Sequence, residues 1–155
     1  MGSWGETTNF DVHQGCCMMD AAYGANAYNY LLRLNPENRN EIIGELVSDW
    51  FLNDDGLTYT FNLRQGVKWG VDPEGLHEWV ADDIDAASDV TAHDWVKTLA
   101  LSFGIETSAF KPKYPEISGP EAWSAIDDYT LQADLSMPAA PFLFKVALRG
   151  PQLYN

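Results

Sequence analysis

The chain has 155 residues and a formal net charge of −14, from 23 acidic and nine basic side chains. This length allows one domain that buries roughly 70% of the surface exposed by the unfolded chain. The negative field would repel a phosphate backbone, so the composition argues against nucleic-acid binding.

The first predicted element is a helix over residues 18–32. Ala21, Ala25, Tyr28 and Leu32 recur at helical spacing and would share one face. Pro36 follows shortly afterwards, and the residue before a proline is restricted to extended conformations, so we expect the helix to stop before it.

A β-hairpin is predicted next, with strands over residues 45–52 and 57–64 joined by a turn over 53–56. Gly56 suits the left-handed position that closes such a turn. Apolar and polar residues alternate along the second strand, which indicates one buried face and one wet face. The buried face would hold Leu57, Tyr59, Phe61 and Leu63, and the wet face Thr58, Thr60 and Asn62.

Two helices should follow this hairpin. Residues 72–87 are acidic and predict a solvated helix with Trp79 inward and Asp82 outward, because no glycine-punctuated calcium loop accompanies the carboxylates. Thr91 and Asp94 then form a capping-box pattern that begins a second helix, which runs to the neighbourhood of Gly104.

The last predicted elements are a second hairpin and a short helix. Its strands lie at residues 122–126 and 129–135, and the helix follows Pro138 with Phe142 and Val146 on its apolar face. Hairpins mixed with helices, without regular βαβ alternation, indicate the α+β fold class.

The sequence has none of the motifs that would mark an enzyme. We find no nucleophile elbow, phosphate-binding loop, dinucleotide fingerprint or zinc-binding helix, so neither catalysis nor a cofactor is expected. His13, Cys16 and Cys17 could supply three metal ligands, but no second cluster completes a site. Burial of the cysteines as small apolar residues is the alternative that we favour, and no bound metal is expected.

Four segments, in order, resemble one protein family. DDGLTYTFNLRQGVKW (residues 54–69) closely resembles the signature hairpin of the family 5 solute-binding proteins, which are the dipeptide, oligopeptide and nickel receptors of ABC importers. ELVSDW (45–50), DVTAHDWV (89–96) and IDDYTL (126–131) resemble the family's preceding strand, following helix start and next strand. The residues between 70 and 88 look like an insertion relative to this pattern.

The resemblance implies that the chain forms part of the first lobe of a two-lobed periplasmic-binding-protein-like fold. Residues 1–8 would be a start segment and loop, 9–44 a piece of the inner lobe, and 45–148 the outer subdomain. The family's chains are several times longer, so we expect this chain to be an N-terminal fragment of one lobe.

The family's role implies a non-enzymatic protein outside the cytoplasm, periplasmic or anchored at the outer face of the membrane. It would bind a peptide or another small solute and deliver it to an ABC permease. By resemblance, Asn29, Tyr30 and Leu31 match the segment that lines the ligand cleft, and Phe110 is a weaker candidate for its wall. Packing of the first three into the core is the competing interpretation.

Two further expectations concern the chain by itself. It should bind peptides weakly or not at all, and an exposed apolar patch that includes Tyr30 should favour self-association. The alternative function is a stand-alone protein-interaction domain derived from this lobe.

Overall fold

The computed structural model of the chain describes residues 28–69, 88–104, 106 and 110–149. Within these ranges the chain forms six strands, two helices and two short 3-10 turns. The strands are β1 (Leu32–Leu34), β2 (Ile42–Gly44), β3 (Val47–Leu52), β4 (Thr58–Leu63), β5 (Trp123–Asp127) and β6 (Thr130–Asp134); the helices are α1 (Ala92–Gly104) and α2 (Phe142–Arg149). No helix in these ranges is long and apolar enough to cross a membrane.

Both predicted hairpins are confirmed, and they join into one antiparallel sheet. Its strand order is β3-β4-β6-β5, so the central contact pairs β4 of the first hairpin with β6 of the second. Phe61 of β4 lies opposite Trp50 of β3 and Leu131 of β6. Gly56 closes the first hairpin with a φ of 70°, as its position in the turn predicts.

The face predicted to be buried is buried at Tyr59, Phe61 and Leu63 but only half-buried at Leu57, and the other face is drier than expected. Phe61 is fully buried and Tyr59 and Leu63 nearly so. Thr60, on the face predicted to be wet, is also only 5% exposed. Its hydroxyl Oγ1 donates to Asn53 Oδ1 at 3.3 Å and accepts from Gln132 Nε2 at 3.2 Å, so a small polar network covers it.

The hydrophobic core lies between the sheet and the helices. From α1, Trp95 and Phe103 are fully buried, and from α2, Phe142 is. Phe142 packs against Tyr59 with 5.1 Å between ring centroids and against Trp123 of β5 at 6.2 Å. Aromatic rings from the sheet and both helices therefore share one core.

α1 begins where its sequence predicts. The Asp94 carboxylate accepts hydrogen bonds from the backbone N–H of Thr91 at 2.9 Å and from its hydroxyl at 2.8 Å. The Ala92 N–H, which has no partner within the helix, donates to the carbonyl of Asp128 at 2.7 Å. This bond fixes the start of α1 on the turn between β5 and β6.

The predicted first helix is wrong over residues 28–32. These residues are not helical, and Leu32 begins β1, which pairs antiparallel with β2 in the register Leu32–Gly44 and Leu34–Ile42. Leu31, at a bend, and Leu32, the first residue of β1, are both buried in the core. Residues 18–27 of that prediction, and the helix predicted over 72–87, lie outside the described residues.

Candidate functional site

The segment at residues 28–31 is held in place by the loop between β2 and β3. The Tyr30 carbonyl accepts a hydrogen bond from the Leu46 N–H at 3.1 Å. The Leu31 carbonyl accepts from the N–H groups of Glu45 at 3.1 Å and Val47 at 3.3 Å. The backbone of the segment is therefore fixed at the point where β3 leaves this loop.

The three side chains predicted to line a ligand cleft differ in exposure. Asn29 is exposed, and its Nδ2 donates to Glu45 Oε1 at 2.7 Å. Tyr30 is half-buried, whereas Leu31 is only 1% exposed and belongs to the core. In this structure Asn29 and Tyr30 are thus the two that a ligand could reach.

Glu45 and Arg64 support the segment, although neither was singled out from the sequence. Arg64 Nε donates to the Glu45 carbonyl at 2.8 Å, and its backbone N–H donates to the Leu46 carbonyl, also at 2.8 Å. The loop at Glu45–Leu46 is therefore held from one side by Tyr30 and Leu31, just before β1, and from the other by Arg64, just after β4. Both residues lie inside the segments that resemble the family, so the resemblance is the sequence signal that could have identified them.

Phe110, the fourth predicted site residue, lies in the aromatic core. It is 7% exposed, with its ring centroid 6.4 Å from Phe103 and 6.5 Å from Tyr114. Lys113 Nζ lies 5.8 Å from the centroid of the Phe110 ring, at a distance typical of a cation–π contact. These contacts show Phe110 packing inside the domain; its proposed contact with ligand stays a prediction.

An open depression of about 460 Å³ lies where β4 ends beside the turn between β5 and β6. Its polar lining already serves the turn: the Asp127 carboxylate accepts from the Tyr129 N–H at 2.8 Å and from the Thr130 hydroxyl at 3.0 Å. These bonds hold the pKa of Asp127 below its usual value. Ligand pockets are usually lined mostly by apolar side chains, so this depression is not the candidate site.

A charged cluster joins the residues on either side of the segment 70–87. Lys68 pairs with Asp89 both by a backbone bridge and by an ion pair. The Tyr129 hydroxyl donates to Asp89 Oδ2 at 3.0 Å. Lys68 first, and then Tyr129, lowers the pKa of Asp89, while the bond to Asp89 raises the pKa of Tyr129. The cluster ties the two flanks of the segment to the second hairpin.

Within the described ranges, no group of three or more His, Cys, Asp or Glu side chains is arranged to hold a metal ion. The candidate ligands His13, Cys16 and Cys17 lie outside those ranges. The arrangement at residues 28–31 combines a half-buried tyrosine with a hydrogen-bonded amide–carboxylate pair.

Residues 41–155 match the family described as "Bacterial extracellular solute-binding proteins, family 5 Middle". The dipeptide-binding protein of Escherichia coli (strain K12) is 34% identical over 124 residues, which cover 70% of this chain and 20% of that protein.

Solved structures share the fold. MoaA from A. tumefaciens R10, in complex with mannopinic acid, superposes with a TM-score of 0.74 at 25% identity, covering 95% of this chain and 27% of that chain. The substrate-binding domain of an oligopeptide ABC transporter from Bacillus anthracis str. Ames gives 0.75 at 23% identity, covering 97% of this chain and 28% of that one.

The chain thus spans between a fifth and three tenths of the length of these proteins. Its mixture of antiparallel sheet and helices matches part of a two-lobed periplasmic binding protein, as the resemblance implied. The family consists of solute-binding proteins rather than enzymes. The chain belongs to the bacterial extracellular solute-binding proteins of family 5.

Proposed function

We propose that this chain is part of the substrate-binding component of an ABC importer, acting outside the cytoplasm. The component would bind a peptide or a related small solute and present it to a permease in the membrane. Membership of family 5, and relatives named for binding dipeptides and oligopeptides, support this function.

The observation that carries the proposal is the accessible Asn29–Tyr30 pair on a backbone fixed by the β2–β3 loop. Tyr30 is half-buried, and its backbone carbonyl is hydrogen-bonded to Leu46. A tyrosine in a fixed position offers a large apolar ring at a low cost in conformational entropy. Asn29, the preceding residue, is exposed, and its side-chain amide is oriented by the hydrogen bond to Glu45.

The chain by itself should bind such a ligand weakly or not at all. In a two-lobed receptor, closure of both walls buries most of the ligand. In the proposed division, residues 9–44 belong to the inner lobe and 45–148 to the outer subdomain, so together they supply part of one wall. Contact with one wall must still offset the entropy lost on capture.

Calorimetric titration of this chain with a mixed peptide library tests the proposed division of the site. We expect no binding tighter than millimolar. Micromolar binding that is abolished by Tyr30→Ala would show a complete binding module and contradict the division. Phe51→Ala is the matched control, because Phe51 is also a partly exposed aromatic residue but lies on the outer face of the sheet.

A second candidate function, a protein-interaction domain, is favoured by one surface. Phe144 and Leu148, one helical turn apart on α2, are 42% and 61% exposed. The same pair would favour self-association at high concentration, which sedimentation would detect.

Sequencing the parent reading frame separates the two functions: a long continuation that encodes further lobes favours the receptor, and its absence favours the interaction domain.

A further inference from the structure

Glu116 is a charged residue inside the core. It lies in the connection between the two 3-10 turns and is 1% exposed. Lys145 of α2 extends its Nζ to both carboxylate oxygens of Glu116, at 2.8 Å each. The pair therefore joins the α1–β5 connection to α2 through two charge-assisted hydrogen bonds.

Other polar contacts converge on the same pair. The Glu116 carbonyl accepts from both the N–H of Ser136, at 2.8 Å, and its hydroxyl, at 3.0 Å. Lys145 Nζ lies 5.7 Å from the centroid of the Tyr114 ring. Tyr114 is itself buried, and this burial raises its pKa. The connection before β5, the segment after β6 and α2 are thus joined at one ion pair.

Stability alone gives little reason for the pair at this position, where the Glu116 carboxylate is buried and the Lys145 side chain is 30% exposed. Removing two charges from water is costly, and apolar side chains of similar volume often serve equally well or better. What the pair adds is a tether between two defined groups, because charge-assisted hydrogen bonds of 2.8 Å hold the end of the Lys145 side chain at the Glu116 carboxylate. The rest of the buried face of α2, Phe142, Val146 and Ala147, is apolar and places weaker limits on its position.

We propose that the Glu116–Lys145 pair is a positioning lock that fixes α2 on the aromatic core and, because α2 packs against β1, also fixes the β1–β2 ribbon. This inference does not depend on the proposed function. The proposed function matters only if the lock is also taken to hold the candidate ligand-binding segment in place, because β1 begins two residues after Tyr30.

Amide hydrogen exchange on the whole chain tests the lock. In Lys145→Met, the buried carboxylate loses its partner. We expect the amides of Val146 in α2 and of Arg33 and Ile43, which form the hydrogen-bonded pair of the β1–β2 ribbon, to exchange roughly tenfold faster or more. The exposed Lys97 of α1 provides the control Lys97→Met, which makes the same charge change and should leave those rates unaltered.

The double variant Glu116→Met/Lys145→Met separates position from stability. The unfolding midpoint should return toward that of the unmodified chain, while the amides of α2 and β1 continue to exchange rapidly. Recovery of both the midpoint and the exchange rates would overturn the proposal, because an apolar contact would then position α2 equally well. A double variant that does not fold would overturn it too, because the pair would then be needed for stability itself.

Discussion

Two turn aspartates have the same structural role in the two hairpins. Asp55 Oδ1 accepts from the backbone N–H groups of Leu57 at 2.7 Å and Thr58 at 2.8 Å, and Oδ2 accepts from the Thr58 hydroxyl at 2.7 Å. Asp127 binds the N–H of Tyr129 and the hydroxyl of Thr130 in the second hairpin. Hydrogen bonds to the ionised carboxylate lower the pKa of both residues.

These lowered pKa values predict an acid-sensitive fold. The stabilisation is complete above the unfolded-state pKa, near 3.8, and is lost as the pH falls through the lower folded-state pKa. In denaturation measured from pH 6 to pH 2, Asp55→Asn/Asp127→Asn should therefore show a shallower loss of stability below about pH 4 than the unmodified chain. Asp54→Asn controls for charge in the first turn; an equally shallow profile in that variant would contradict the assignment.

Phe61 is the residue whose truncation should cost the most in the sheet. It is fully buried between Trp50 and Leu131, with Trp123 6.5 Å away between ring centroids. Phe61→Ala should lower the free energy of unfolding by about 3–5 kcal/mol, because the lost apolar contacts leave a cavity. Phe51→Ala, on the outer face, should cost less than about 1 kcal/mol. Similar losses for the two variants in chemical denaturation would refute the assignment of faces.

The strands and helix starts that depend on local interactions were predicted correctly from local sequence patterns. The alternation of apolar and polar residues along β4 and β6 predicted both hairpins, and the spacing of Thr91 and Asp94 predicted the start of α1. Their bounds shifted by one or two residues; β3, for example, begins at Val47 rather than at residue 45.

The β1–β2 ribbon was missed for a physical reason. Each strand has only three residues, too few for a period of two to be recognised. The apolar residues before Pro36 also fit a helical face, because Tyr28 and Leu32 are four apart. Pairing with β2 and packing against α2 decide the conformation, and both depend on contacts that are distant in sequence.

The first turn of α1 offers a direct test of the capping prediction. Asp94→Ala removes the carboxylate that binds the N–H and hydroxyl of Thr91 and that interacts favourably with the helix dipole. The free energy of unfolding should fall by about 0.5–2 kcal/mol. Lys97→Ala, one turn later and exposed, should change it by less than about 0.5 kcal/mol. Equal effects in urea denaturation would argue against the cap.

At the scale of the whole molecule, the candidate site was only partly predictable from the sequence. The resemblance indicated Asn29, Tyr30, Leu31 and Phe110, but exposure depends on tertiary packing. The core buries Leu31 and Phe110 and leaves Asn29 and Tyr30 accessible. Thr60 and Glu116 are polar residues buried by networks that bring together distant parts of the chain, which no local pattern reveals.

The central claim is that this chain carries a ligand-contacting segment of a family 5 receptor. Its most direct test replaces the matching segment of the Escherichia coli dipeptide-binding protein with residues 28–149 and measures dipeptide affinity by calorimetry. We predict that the folded chimera binds dipeptide, that Tyr30→Ala weakens binding roughly tenfold or more, and that Phe51→Ala does not. A folded chimera that binds no dipeptide, or binds equally well with and without the Tyr30 side chain, would contradict the claim.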